Sequence, residues 1–149
     1  MSDWNAAYVE WWAAFLPDFH QAHPGWSNAQ TPRPQNWINF PSGRSDVKYG
    51  LSFAYPAGAT NYSLRADVYL WEGEPAYQAL DAQREALDGA CTLELQWEPL
   101  ENAKASRVAA YLDPVDPADR ESWPQYRTWA IETLGELRRV FAEPIRNLP

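Results

Sequence analysis

The residue pattern with the most chemical content is Pro17-Asp18 followed, 28 residues after Asp18, by Asp46-Val47-Lys48. Two acids holding Mg²⁺ beside a lysine that assists attack by water is the arrangement of restriction-type nucleases. The spacing is permissive, however. Those nucleases set the first acid at a strand, whereas Asp18 falls near the end of an amphipathic helical run. A metal-dependent nuclease using Asp18, Asp46 and Lys48 is therefore the alternative reading, and no catalytic residue, metal or cofactor is assigned. His20 and His23, with Asp18 nearby, make only a thin metal site, and a helix end accounts for them. Glu94 and Glu98 share one face of an alternating run, but paired acid and base chemistry also needs a cleft that raises one pKa. Cys91 is the single cysteine. It reads as a small buried hydrophobe, because a nucleophilic thiol needs a positioned base. Neither the Walker phosphate loop nor the Rossmann glycine pattern is present.

Binding chemistry has more support. The formal net charge is −8, which disfavours non-specific attachment to phosphates. That average hides an asymmetry: residues 20–66 carry +3 and the rest −11. Within or beside the basic stretch stand Arg33, Asn36, Trp37, Arg44, Lys48, Arg65 and Arg107, the candidate ligand-binding set. Guanidinium groups take phosphate or carboxylate, and Trp37 offers a surface for stacking on a base or an arginine. Arg44 sits between Gly43 and Ser45, in a turn whose backbone amides can join an anion site. Internal ion pairing of the arginines is the competing explanation.

The elements that must position these residues follow from periodicity. Residues 4–22 show apolar positions at helical spacing, with Pro17 predicting a kink or break. Residues 24–36 are interrupted by Pro24, Gly25, Pro32 and Pro34 and read as a loop. Short strands are expected at 37–40, 46–55 and 61–71, the last two joined through Pro56-Ala57-Gly58 as a hairpin. A helix over 74–89, strands at 92–98 and 105–112, and a helix over 120–141 ended by Pro144 complete the order α-β-β-β-α-β-β-α. This pattern predicts one α+β domain over residues 1–149. It is a two-layer sandwich with a five-stranded, mainly antiparallel sheet and its helices on one face. The other face should be wet and carry Lys48, Ser52, Arg65, Asp67, Tyr69, Trp71, Glu94, Gln96, Glu98, Arg107 and Tyr111. Met1-Ser2-Asp3-Trp4 lacks the pattern of a signal peptide, and no apolar run is long enough to span a bilayer, so a cytoplasmic location is expected.

The ordered set of motifs resembles a bacterial family known as domain of unknown function 4268. The likeness spans roughly residues 8–148. It rests on Tyr8-Val9-Glu10-Trp11-Trp12, on Trp37-Ile38-Asn39-Phe40 before Gly43-Arg44-Ser45, and on Val68-Tyr69-Leu70. It continues through Leu95-Gln96-Trp97-Glu98, Lys104-Ala105-Ser106-Arg107-Val108, and Trp123 with Trp129 ahead of Arg139-Val140-Phe141. The resemblance implies a protein that stands alone or follows a restriction-endonuclease-like nuclease domain, hence a restriction or defence setting. It carries over no catalytic residues. The leading expectation is a non-catalytic binding or interaction domain for a nucleic acid or a protein partner. A structural homodimer that buries aromatic residues of the sheet is a further alternative.

Overall fold

The aromatic residues near the N-terminus recur every three to four positions, and the chain winds them into α1 (Asp3–Ala22), which buries Tyr8, Trp11, Trp12, Phe15 and Phe19 along one stripe. The computed structural model describes residues 3–55, 58–71, 74–100 and 105–149. The helix runs unbroken through Pro17. Proline there forgoes one backbone hydrogen bond, but buried Phe15, Leu16 and Phe19 hold the turns on either side against the core, so the expected break does not occur.

Three strands follow: β1 (Trp37–Pro41), β2 (Val47–Ala54) and β3 (Tyr62–Trp71). Gly58 of the expected hairpin turn has φ +80°, whereas Pro56 and Ala57 lie outside the described residues. Next come α2 (Glu74–Asp81) and α3 (Arg84–Ala90), then β4 (Gln96–Pro99), β5 (Ala105–Val115), a 3₁₀ turn (Arg120–Ser122) and α4 (Trp123–Arg146). The sheet has the order β1-β2-β3-β5-β4, and every neighbouring pair is antiparallel. The α+β class, the five strands and the element order are those read from the sequence.

Several boundaries differ from expectation: the strand expected at 105–112 runs on to Val115, and a 3₁₀ turn over Arg120–Ser122 precedes the last helix. The helix predicted over 74–89 is interrupted at Ala82–Gln83, where the Gln83 amide turns back to the Leu80 carbonyl. The strand predicted from residue 92 begins at Gln96. Pro144 does not end the last helix, because Phe141 and Ile145 flank it in the core and the helix continues to Arg146.

Cross-strand register assigns the two faces. Val47, Tyr49, Leu51 and Phe53 pair with Leu70, Val68, Ala66 and Leu64, and all eight are buried. They meet the helices: Trp11 packs edge-on against Phe53 at 5.0 Å, Phe19 stacks on Phe40 at 4.3 Å, and Trp97 meets Tyr77 and Phe141 at 6.2 and 6.3 Å. Truncating one such aromatic to alanine typically costs about 3–5 kcal/mol. No helix among the described residues is long and apolar enough to cross a membrane.

The loop over 24–36 is fastened by side chains rather than by secondary structure. His20 Nε2 meets the Ala29 carbonyl at 2.5 Å, and His23 Nε2 meets the Ile131 carbonyl at 2.9 Å. The indoles of Trp12 and Trp26 donate to the carbonyls of Gln35 and Pro41. Both histidines thus serve loop and helix packing.

A Cβ at Gly135 would lie 2.6 Å from His23 Cε1. Glycine inside a helix normally costs about 1 kcal/mol relative to alanine. Here the sign should reverse: Gly135→Ala is expected to lower the urea midpoint. Adding His23→Ala should make the alanine at 135 less harmful than it is alone. Equal effects in both backgrounds, measured by equilibrium unfolding, would contradict this packing.

Candidate functional site

The face of the sheet away from the helices carries the polar half of each alternating strand. Its register places Lys48 opposite Tyr69, Gly50 opposite Asp67 and Ser52 opposite Arg65. Across the next pair, Arg65 faces Tyr111, Asp67 faces Ala109, and Tyr69 faces Arg107. Beyond these, Glu98 of β4 pairs with Arg107.

At its centre lies Asp67, only 4% exposed although no helix among the described residues covers this face. Small neighbours explain how. Gly50 and Ala109 flank the carboxylate from adjacent strands, and a Cβ on Gly50 would lie 2.5 Å from Asp67 Oδ1. Larger side chains close over the hollow. Arg65 Nε stands 3.4 Å from Asp67 Oδ2, and Arg107 Nε stands 3.3 Å from Glu98 Oε1. Neither contact aligns an N–H into a hydrogen bond, and both Nε atoms are buried without an aligned partner. Tyr111 completes the row by donating its hydroxyl to Glu98 at 2.8–2.9 Å. Burial is the main reason the Tyr111 hydroxyl is pushed up to about 12, and the bond to Glu98 adds to it.

Desolvation raises the Asp67 carboxyl to about 6, and the positive charges of Arg65 and Arg107 oppose that rise. A buried carboxyl titrating near neutrality, beside arginines and at the edge of a cleft, marks a candidate functional site. The cleft is real: Asn36, Trp37, Asn39, Ser52, Arg65, Asp67, Tyr69 and Trp71 line a cavity of about 270 Å³. Trp37 and Trp71 are 46% and 53% exposed, and Tyr69 meets Trp71 edge-on at 5.3 Å. A second hollow of about 540 Å³ lies on the other side of Trp37 and is lined by Arg33, Gln35, Thr31 and neighbours. Trp37 and Asn39 are common to both cavities.

The sequence-derived candidates therefore divide. Arg33, Asn36, Trp37 and Arg65 line these hollows, with Lys48 and Arg107 on the same sheet face. The Asn36 amide is itself engaged, donating to the Phe53 carbonyl at 2.8 Å. Arg44 lies elsewhere. It pairs with Asp46 at 3.1 Å and donates to the backbone oxygens of Leu148 and Pro149. The hydrogen bond from Arg44 is the main reason the Asp46 carboxyl sits below its ordinary value. Asp18 of α1 pairs with Arg127 of α4 on the helical layer, whereas Lys48 stands on the opposite face of the sheet, so the acids and lysine of the nuclease pattern are not brought together. Cys91 is half-buried, its thiol raised to about 11 chiefly by desolvation. Asp67, Tyr69 and Trp71 were legible as wet-face residues, but Asn39 carried no signal beyond its place in a short strand.

The folded chain holds the Asp67 proton more tightly than the unfolded chain, whose carboxyl titrates near 3.8. The contribution of this group to stability is therefore complete below that value and is lost as pH rises through about 6. Carboxyl ¹³C NMR should show one aspartate titrating near 6. Asp67→Asn should abolish that titration and flatten the fall in urea midpoint between pH 4 and 6. A wild-type spectrum in which every aspartate titrates below about 4.5 would contradict the assignment.

No curated protein and no solved structure matches the chain. A family model described as a domain of unknown function, DUF4268, matches residues 7–145. The match takes in every strand of the sheet, the loop that braces it and nearly all of the helical layer. The chain belongs to the DUF4268 family.

Proposed function

We propose that this domain is a non-catalytic binding module whose open sheet face accepts unpaired bases of a single-stranded nucleic acid. The observation that carries the reading is the pair of exposed indoles, Trp37 and Trp71, standing over a cleft floored by Arg65 and Asp67. Large aromatic rings left on a polar sheet offer π-faces on which bases stack, and neighbouring guanidinium and amide groups supply hydrogen bonds to base edges. The exposed charge around the cleft is basic: Arg33 and Lys48 have no ion pair among the described residues, and the acid at the centre is buried. Glu94, Glu98 and Asp113 border a separate hollow with Tyr111 towards β4. A strand would therefore favour the β1–β3 half of the face, with modest salt dependence because few cations are available.

A role in restriction or defence fits such a module, and so does a position behind a nuclease domain. Catalysis by Asp18, Asp46 and Lys48 draws no support from where these residues sit.

Fluorescence anisotropy with labelled single-stranded DNA and RNA at low salt tests the reading. Trp37→Ala and Trp71→Ala are each expected to weaken binding about tenfold, consistent with about 1–3 kcal/mol per stacked base, with little change in melting temperature because both rings are exposed. Duplex DNA should bind more weakly than either single strand. Absence of binding to every oligonucleotide, or full affinity in both variants, would refute it. Light scattering supplies the contrasting outcome: a dimer that dissociates on Trp71→Ala would assign the face to a second copy instead.

A further inference from the structure

Away from the sheet face, the turn between β1 and β2 meets the last two turns of α4 across a cavity of about 500 Å³. Arg138, Ala142 and Arg146 stand four residues apart on α4, so they form one stripe along the helix. All three line the cavity, and Arg44 and Gly43 of the turn line its other side. Ala142 leaves a hollow between the two arginines. Trp26 forms part of the wall and carries the Arg138 guanidinium over its ring at 4.6 Å, while its own indole N–H is fixed to the Pro41 carbonyl at 2.9 Å.

The charges do not cancel. Arg44 is paired with Asp46, but Arg138 and Arg146 have no ion pair among the described residues. This contrasts with the rest of the chain, where Arg65, Arg84, Arg107, Arg120, Arg127 and Arg139 each stand against a carboxylate. Two free guanidinium groups beside a third, in one concave site on a protein of net charge −8, repel one another unless an anion lies between them. The C-terminal end of α4 opposes an anion, since helix carbonyls point towards it. Arg44 is held beside the cavity by donating to the backbone oxygens of Leu148 and Pro149, just past the end of the helix.

We infer that the Arg44–Arg138–Arg146 cavity is a binding site for a phosphomonoester. A planar guanidinium matches phosphate oxygens through paired N–H donors, and a dianion suits two uncompensated cations better than a single carboxylate does. Stacking on Trp26 orients Arg138 before the ligand arrives. The cavity falls within the range that holds small ligands. Two sources present this chemistry: a free mononucleotide and the phosphorylated end of a nucleic acid strand. The inference is independent of the sheet-face reading, because no residue of the cleft beside Trp71 lines this cavity.

Titration of the full chain with inorganic phosphate and with AMP, followed by calorimetry and by the Trp26 indole resonance in ¹H–¹⁵N spectra, tests the site. Saturable binding that shifts the Trp26 signal is expected. Arg138→Gln and Arg146→Gln should each weaken it at least tenfold. Arg146 is exposed in the last helical turn, so its variant keeps the test sound if Arg138→Gln does not fold. Oligonucleotides with a 5′-phosphate or a 5′-hydroxyl identify the source. A phosphate-dependent gain assigns a strand end, and AMP binding without that gain assigns a nucleotide. No saturable binding of phosphate, AMP or the phosphorylated strand, or wild-type affinity in folded Arg146→Gln, would overturn the inference.

Discussion

The architecture of the open face depends on the burial of one carboxylate on the side of the sheet turned away from the helices. Asp67 leaves water only because its neighbours across the strands are Gly50 and Ala109 and because Arg65 and Arg107 fold over it. Glycine at position 50 has no positive φ to explain it. The close approach of the Asp67 carboxylate explains it instead. Taking a charge out of water is expensive, and the attraction of nearby opposite charges only partly offsets that cost. The carboxyl accordingly titrates near 6, well above the ordinary aspartate value, and is half-protonated only in mildly acidic solution.

This centre also fixes the shape around it. Small residues in the middle of the sheet and large ones at its margin turn a flat surface into a hollow. Trp37 rises from edge strand β1 and Trp71 from the end of β3. The braced loop makes the β1 wall firm: Gln35 donates to the Trp37 carbonyl, and Trp26 donates to that of Pro41. Carbonyls of an edge strand are otherwise free to recruit another strand. Occupying them steers recognition on this side towards side chains rather than towards addition of a strand.

Most of the fold was legible because it rests on period. Strands that alternate every two residues and helices that repeat at 3.6 reveal themselves in one dimension. For that reason alternation sorts the residues of β2, β3 and β5 to the correct faces, although Ser52 and Asp67 on the expected wet face are buried. Pro17 and Pro144 misled because their cost is local, whereas the burial of Phe19, Phe141 and Ile145 that outweighs it is tertiary. The site was harder to see. Alternation placed Asp67 on the wet side, but its burial depends on which residues stand opposite, and strand register is not written in any single strand. The glycine turn marks Arg44 in the sequence, but nothing local links that β-turn to Arg138 and Arg146 on a helix about a hundred residues later.

Charge pairing separates structural arginines from available ones. Several of the paired arginines join one element of the fold to another. Arg120 and Arg127 bind α4 and its preceding turn to α1 through Glu10 and Asp18, and Arg107 joins β5 to β4 through Glu98. An acidic chain has ample carboxylates for this purpose, so an unpaired cation carries more information here than it would on a basic protein. Among the described residues those cations are Arg33, Lys48, Arg138 and Arg146. Arg33 and Lys48 flank the aromatic cleft, and Arg138 and Arg146 face the cavity at the end of α4. The surplus of acid thus does not argue against anion recognition by this domain. It confines such recognition to the few places where the fold leaves a positive charge unanswered.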